Sequence, residues 1–209
     1  MFQFGNFAGQ AGPVRIDLQA HTRLMQALMD RIECGVLACG PQGELFHANV
    51  AAHQELECGR FLRVVEGGLR PAATSQCTWN QALHDATARA RSRLINLEDG
   101  VERLQVALVP VRVDGLDAAA AVAIMGRRSV CSPLGLEMLA ASHGLTYAES
   151  RVFRALVGNL SAREIAASHG VAMATVRTQI QSVRDKLGVR SIDALLLRAA
   201  ELPPVTARF

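Results

Sequence analysis

Hydrophobic residues follow two different spacings along this chain of 209 residues. Over residues 17–32, leucine, methionine and isoleucine lie mostly three or four positions apart, which predicts an amphipathic helix. Such a helix either packs on the domain that follows or takes part in a dimer interface. The residues before it combine three phenylalanines with Gly, Gln and Pro13, and they predict an irregular lead-in.

Short apolar runs separated by turn residues occupy the middle of the chain. Residues 35–39 and 44–49 flank a Gly-Pro-Gln-Gly turn and predict a hairpin, after which Asn49 can cap a short helix. A second hairpin, a long helix with Trp79 on its apolar side and three more strands follow. Their predicted ranges are 61–71, 75–91, 93–97, 102–113 and 118–125, with hairpin turns at Asp99-Gly100 and Asp114-Gly115. This order predicts an α+β domain with one sheet and helices on a face.

The alternation of strands ends at residues 127–133, which predict a linker. A short apolar helix over residues 134–142 then leads into the last part of the chain. This helix either couples the two halves of the protein or only covers a hydrophobic face.

Two capping boxes begin the C-terminal part. In each, a Thr or Ser is followed three residues later by Glu, so that each side chain can bind the other residue's backbone amide and fix the start of a helix. The pairs are Thr146 with Glu149 and Ser161 with Glu164. They predict two short helices, the first ended by Asn159 in a left-handed conformation and the second by a turn that carries Gly170.

A third helix has one apolar stripe and one polar face. At 100° per residue its stripe consists of Val176, Ile180, Val183 and Leu187. Arg177, Thr178 and Gln181 lie on the opposite side, where Arg can bind guanine, Gln can bind adenine and Thr can meet a thymine methyl group. A short helix, a turn and this helix together predict a helix-turn-helix that reads DNA. Basic residues near its end predict phosphate contacts, namely Arg184, Lys186 and Arg190.

The charge distribution agrees with a polyanionic partner. The whole chain carries a net charge of +3, yet residues 145–200 hold eight basic and four acidic residues. The positive excess therefore coincides with the predicted helix-turn-helix.

Residues 145–197 resemble a DNA-binding domain of the LuxR/FixJ type. The resemblance rests on Leu-Thr-x-x-Glu-x-x-Val-Phe from Leu145, Glu-Ile-Ala from Glu164, Thr-Val-Arg from Thr175 and Lys-Leu-Gly-Val from Lys186. It implies four helices, base contacts by Arg177, Thr178 and Gln181, and a phosphate contact by Thr175. It also implies dimerisation through the fourth helix, whose predicted apolar side is Ile192, Leu195, Leu196 and Ala199. The chain departs from the family pattern at His169, Ala172 and Gln179; of these, Ala172 leaves the third helix without a capping side chain.

The middle of the chain resembles a PAS-type sensor domain. The resemblance rests on the order of its predicted elements and on the run from Gly35 to Asn49, Gly-Val-Leu-x-x-x-x-x-Gly-x-Leu-x-x-Ala-Asn. It implies a space between sheet and helices that holds a small molecule, haem, flavin or nothing. His84 is the one sensible haem-ligand candidate, although a histidine on such a helix is more often a surface residue. The sequence requires no cofactor.

Several other classes are disfavoured. The five cysteines are scattered and indicate reduced thiols rather than disulfides or a metal site. A phosphorylation receiver needs a lysine in its acidic pocket, and the sole lysine is Lys186. An autoinducer pocket needs aromatic residues that are scarce here, and no catalytic motif indicates an enzyme. Neither a membrane-spanning run nor a secretory signal is found, so a cytoplasmic location is expected.

The sequence therefore predicts an α+β PAS-like N-terminal domain joined to an all-α four-helix LuxR-type helix-turn-helix domain. The predicted ranges are 1–30 for the lead-in and amphipathic helix, 31–127 for the PAS-like domain, 128–144 for the linker, 145–202 for the helix-turn-helix domain and 203–209 for the tail. The predicted function is transcription regulation by a homodimer on double-stranded DNA, with a small-molecule ligand and RNA polymerase as further candidate partners. Alternatively, the N-terminal domain is a ligand-free docking or dimerisation module or, least favoured, an enzyme with a nucleic-acid anchor.

Overall fold

The computed structural model describes residues 17–112, 119–126 and 131–206. In chain order its helices are α1 (Leu18–Met29), α2 (Val50–Cys58), α3 (Gln76–Arg89), α4 (Pro133–Ser142), α5 (Tyr147–Val157), α6 (Ala162–His169), α7 (Met173–Leu187) and α8 (Ile192–Ala200). Its strands are β1 (Val36–Cys39), β2 (Leu45–Ala48), β3 (Leu62–Val65), β4 (Gly68–Pro71), β5 (Arg93–Glu98), β6 (Arg103–Val111) and β7 (Ala120–Met125). Three predictions lie outside the described residues: the lead-in over 1–16, the Asp114-Gly115 turn and the linker at 127–130.

Five antiparallel strands form one sheet in the order β2-β1-β7-β6-β5, and β3 and β4 form a separate hairpin. Leu37 pairs with Ala123, which also pairs with Leu108, so the three side chains share one face of the sheet. All three are fully buried, because α2 and α3 cover that face. The prediction of one sheet with helices on a face is confirmed, and so is the order of elements on which the resemblance to a PAS domain rests.

Large apolar side chains fill the core between this sheet and its helices. Trp79 and Phe61 are the largest of the fully buried residues, and α3 buries Ala82, Leu83 and Ala86 on the same side as Trp79. His84 is exposed instead. It therefore does not point into the core, and the one haem-ligand candidate lies in the wrong place for that role.

A buried carboxylate ties the end of α3 to the sheet. Asp85 is fully buried and accepts hydrogen bonds from Arg89 at 2.9 Å and from Arg93 of β5 at 2.7 Å. The hydrogen bond from Arg93, with that from Arg89, lowers the pKa of Asp85 below its ordinary value. Asp85 thus stays charged within a structural ion pair.

A second core forms from α4 to α8, and we call residues 131–202 the helical domain and residues 35–126 the sheet domain. Leu136 and Leu139 of α4 pack in the same apolar cluster as Phe153, Val183 and the other buried residues of the helical domain. Of the two roles predicted for the helix at 134–142, covering a hydrophobic face is therefore the one that its side chains perform. No helix among the described residues is long and apolar enough to cross a membrane.

Candidate nucleic-acid interface

Both capping boxes form as predicted. The Thr146 amide donates to Glu149 Oε2 at 2.6 Å, and the Glu149 amide donates to Thr146 Oγ1 at 3.3 Å. The Ser161 amide likewise donates to Glu164 Oε2 at 2.8 Å, with the Glu164 amide 3.3 Å from Ser161 Oγ. These pairs fix the starts of α5 and α6, and so the angles at which the two helices enter the domain.

Glu149 also holds α7 against α5. Its carboxylate accepts hydrogen bonds from Ser182 Oγ and from Lys186 Nζ, each at 2.6 Å, and only 7% of the residue is exposed. The Lys186 ammonium, together with the Ser182 hydroxyl, lowers the pKa of Glu149 to about 2. Sequence reasoning identified Glu149 as a capping residue and missed this second role, although Ser182 and Lys186 are spaced to share one side of α7.

The predicted stripe on α7 is buried. Val176, Ile180, Val183 and Leu187 all lie in the core of the helical domain. The turn before α7 contains Gly170 with φ at +66°, a left-handed conformation that glycine adopts without a steric cost. Ile165 and Ala166 of α6 pack in the same core. The short helix, the turn and the longer helix thus have the arrangement of a helix-turn-helix.

The opposite side of α7 is open to solvent. Arg177, Thr178 and Gln181, which we call the reading face, are all exposed and line one shallow depression together with Asp185. The Gln181 amide donates to Asp185 Oδ1 at 2.8 Å. Any contact between Gln181 and a base edge must therefore replace this hydrogen bond within the helix.

The residues predicted to contact phosphates have different surroundings. Thr175 and Arg190 are exposed, whereas Arg184 is half-buried and its guanidinium contacts the Arg190 carbonyl and the Gln181 side chain. Lys186 donates to Glu149 and, at 3.1 Å, to the Gly144 carbonyl. The Lys186 ammonium is thus engaged within the domain rather than directed at a DNA backbone.

The residues predicted to form a dimer surface on α8 point in two directions. Leu195 and Ala199 are fully buried in the core of the helical domain, and Leu196 packs partly against it. The side of α8 that carries Leu195 and Ala199 faces α5 and α7. These two residues therefore do not belong to a dimer surface. Ile192 is 41% exposed, and Leu197, which sequence reasoning omitted, is 62% exposed.

The departures from the family pattern have clear local consequences. Ala172 occupies the N-cap position of α7 with extended backbone angles and no capping side chain, as its residue type requires. His169 is the last residue of α6 and, like Gln179, is half-buried. The chain therefore has the fold of the motif without the usual cap of the reading helix.

Comparison with known proteins agrees with this geometry. The family model described as "Bacterial regulatory proteins, luxR family" matches residues 143–199, a range that includes α5, α6, α7 and nearly all of α8. A search of the curated proteins finds no match.

Three solved structures show distant likenesses. The phage VqmA–DPO complex is 15% identical over 89% of this chain and 93% of its own, with a TM-score of 0.39. VqmA of Vibrio cholerae is 17% identical over 86% of this chain and 85% of its own, with a TM-score of 0.36. The PAS domain of nitrogen regulation protein NR(II) from Vibrio parahaemolyticus is 14% identical over 50% of this chain and 97% of its own, with a TM-score of 0.33.

The family that matches residues 143–199 is one of regulatory proteins, in agreement with the prediction of a chain that is not an enzyme. Its match covers the capping boxes, the turn and the reading face of α7 together. Residues 143–199 form a helix-turn-helix domain of the luxR family, and the chain that carries it is a DNA-binding transcription regulator.

Proposed function

We propose that this chain binds specific double-stranded DNA as a homodimer and that its sheet domain adjusts this binding in response to a signal. The observation that carries the proposal is the reading face, an exposed row of Arg, Thr and Gln on a helix whose other side is fully packed. A helix held in this way can enter the major groove, which presents a distinct set of donors, acceptors and methyl groups for each base pair.

Within this proposal the reading face supplies the sequence preference. Arg177 can donate to guanine O6 and N7, Gln181 can pair with adenine N6 and N7, and Thr178 can contact a thymine methyl group. Phosphates are contacted by Thr175, Arg184 and Arg190, which set affinity and register. Lys186 is left out of this set because its ammonium already binds Glu149.

The role of the sheet domain has two candidates. A PAS-type domain can bind a signal molecule in its core, and this is the role we propose. The second candidate is a docking or dimerisation module without a ligand, which the close packing of Trp79 and Phe61 between sheet and helices favours. Native mass spectrometry of the full chain separates them, since a retained ligand mass supports sensing and a bare dimer in every preparation supports the module.

Two further predictions concern the surroundings of the protein. A regulator of this kind must reach the chromosome, so we propose a cytoplasmic location. RNA polymerase remains a candidate partner, because a bound regulator can act by contacting it at a promoter.

DNA selection from a random-sequence pool tests the proposed reading face. On the selected duplexes, Arg177→Ala and Gln181→Ala should each weaken binding by about 1–3 kcal/mol, with almost no change on an unselected duplex. Arg198→Ala is the matched control, since Arg198 lies on α8 beside Glu201 and carries the same charge as Arg177. An equal loss on selected and unselected duplexes would show that the two residues touch only phosphates.

A further inference from the structure

The residues that follow α8 return to the segment between α1 and the sheet domain. Leu202 packs beside Gly135 of α4, and the chain then forms hydrogen bonds with the segment after α1. The Glu33 amide donates to the Pro204 carbonyl at 2.9 Å, and the Thr206 amide donates to the Arg31 carbonyl at 3.0 Å. Val205 and Ile32 form an antiparallel bridge between these two hydrogen bonds. We call residues 203–206 the strap and residues 29–34 the connector.

The connector is held from its other side by one buried side chain of the sheet domain. Asn49 is fully buried, and its amide nitrogen donates to the carbonyls of Met29 at 3.1 Å and Cys34 at 3.0 Å. Its Oδ1 accepts from the amides of Val36 in β1 at 2.9 Å and Ala52 in α2 at 3.0 Å. The backbone of the connector is thus bonded on one side to the start of the sheet and on the other to the strap.

A crevice of ≈ 380 Å³ lies at the same junction. Val50, Ala51 and Gln54 of α2 line one wall, and Pro133, Leu134 and Glu137 of α4 line the other. Thr206 of the strap and Glu33 of the connector also border it. The backbone hydrogen bonds of the strap are direct ties across the boundary beside this crevice.

We infer that the strap couples the helical domain to the sheet domain and so transmits the state of one to the other. A change in the sheet domain that moves Asn49, β1 or α2 displaces the connector. The connector in turn displaces the strap through the backbone hydrogen bonds between them. The strap leaves α8 within a few residues, so a displacement reaches the core behind the reading helix. The functional part of this inference rests on the proposed DNA binding.

The strap acts by orientation rather than by covering the reader. Arg177, Thr178 and Gln181 are exposed while the strap is in place, so its contacts do not block the reading face. A helix-turn-helix dimer needs its two reading helices about 34 Å apart to enter successive major grooves. Together with a dimer contact on α1, a tie between the helical domain and the segment directly after α1 helps to fix that orientation, and its loss lets each helical domain rotate more freely.

The single tryptophan of the chain allows a direct test without DNA. Trp79 lies in the core of the sheet domain, so its fluorescence reports the unfolding of that domain alone. Leu195→Ala removes a fully buried side chain and so destabilises the helical domain. If the strap couples the domains, Leu195→Ala should lower the urea midpoint of the Trp79 signal, on the order of 0.3 M.

Two changes act on the strap: one weakens it and the other removes it. Thr206→Pro deletes the amide that donates to Arg31 while it leaves the extended backbone of Val205 allowed, and Thr206→Ala is the matched control that keeps the amide. A chain that ends at Leu202 removes the strap entirely. Leu195→Ala should shift the Trp79 midpoint less in the Thr206→Pro chain and not at all in the chain that ends at Leu202, whereas in the Thr206→Ala chain the shift should persist. Two results would overturn the inference. Leu195→Ala could shift the Trp79 midpoint equally with and without the strap, or it could cause no shift when the strap is intact.

A DNA-binding experiment tests separately whether the strap transmits changes to the reading helix. On a duplex with two half-sites selected by the unaltered protein, the chain that ends at Leu202 should bind about tenfold more weakly, with unchanged binding to one half-site. Equal affinities of the two chains for the paired site would overturn transmission through the strap. If the unaltered protein selects no duplex at all, the proposed function fails, and the Trp79 measurement still decides whether the domains are coupled.

Discussion

Among single residues, Glu149 shows how one side chain can serve two helices. Its carboxylate closes the capping box of α5 and binds Ser182 and Lys186 of α7. Burial alone would raise the pKa of a carboxyl group, yet its hydrogen bonds hold the pKa at about 2. The charged form is therefore favoured in the folded state, and the position of the reading helix depends on that charge.

Glu149→Gln should destabilise the helical domain by about 2–3 kcal/mol at pH 7, because it removes a buried charge that pairs with Lys186. A folded-state pKa below the ordinary value contributes stability above the unfolded pKa of 4.5, and this contribution is lost as the pH falls towards 2. Urea unfolding followed by circular dichroism should thus show a difference between the two proteins that shrinks over this range. Glu137→Gln is the control, since its pair with Arg154 is exposed and about 0.5 kcal/mol or less is expected. A difference that is independent of pH would contradict the role of the charge.

Arg190 gives a second test at this scale. It is exposed directly after the reading helix, and each phosphate contact releases a condensed counterion. Arg190→Ala should therefore lower the slope of log affinity against log salt by about 1 on any duplex. Arg198→Ala, which removes the same charge from α8, should leave the slope unchanged. Equal slopes for Arg190→Ala and the unaltered protein would remove Arg190 from the interface.

At the scale of elements, α7 differs from the other helices of the helical domain because its N-cap residue has no capping side chain. The N-cap residues of α4, α5, α6 and α8 are Ser132, Thr146, Ser161 and Ser191, and each accepts a hydrogen bond from an amide of the first turn. Ala172 has similar extended backbone angles, φ −66° and ψ 146°, but no oxygen on its side chain. The first amides of α7 are therefore available to an outside acceptor, and a DNA phosphate near Thr175 would complete the helix.

Ala172→Ser should supply the missing cap and stabilise the free helical domain by about 1 kcal/mol, because the backbone already has the required conformation. Amide hydrogen exchange at residues 173–175 measures the effect. In the unaltered protein, these amides should exchange quickly without DNA and slowly with it, whereas in Ala172→Ser the change on adding DNA should be smaller. Slow exchange in the unaltered free protein would contradict the idea that the amides await a phosphate.

The elements also show how far the sequence could predict the structure. Helix starts depend on neighbouring residues, so Thr146, Ser161 and Asn49 revealed three caps correctly, and the spacing of Val176 and Ile180 revealed the buried side of α7. Interactions between distant residues have no such local signal. The bond from Lys186 to Glu149 joins residues 37 positions apart, and the strap meets the connector from the opposite end of the chain.

The candidate site shows the same division. Arg177, Thr178 and Gln181 were placed on an exposed face because helical periodicity alone determines it. The apolar side of α8 was mistaken for a single surface, because sequence periodicity does not say whether a stripe faces the domain's own core or a partner. Packing directs Leu195 and Ala199 inward and leaves Ile192 and Leu197 outside.

At the scale of the whole molecule, two of the exposed apolar surfaces among the described residues lie on helices and suit a dimer. Helix α1 buries none of its residues, and Leu18 on it is 82% exposed, with Leu24, Met25 and Leu28 also exposed along one stripe. The other place is Leu197 with Ile192 on α8. Since a reader of paired half-sites needs a twofold partner, one of these surfaces should join two copies of the chain.

We expect α1 to supply the main contact, because its stripe is longer than the pair of residues on α8. Leu28→Glu should then convert the dimer to a monomer in sedimentation experiments at micromolar concentration, since a carboxylate buried in an apolar interface has no compensating partner. Gln26→Glu adds the same charge to the polar side of α1 and should leave the dimer intact. Leu197→Glu tests the surface on α8 in the same way. A dimer that survives Leu28→Glu and dissociates with Leu197→Glu would contradict the assignment to α1 and place the interface on α8, as the luxR-type resemblance implies.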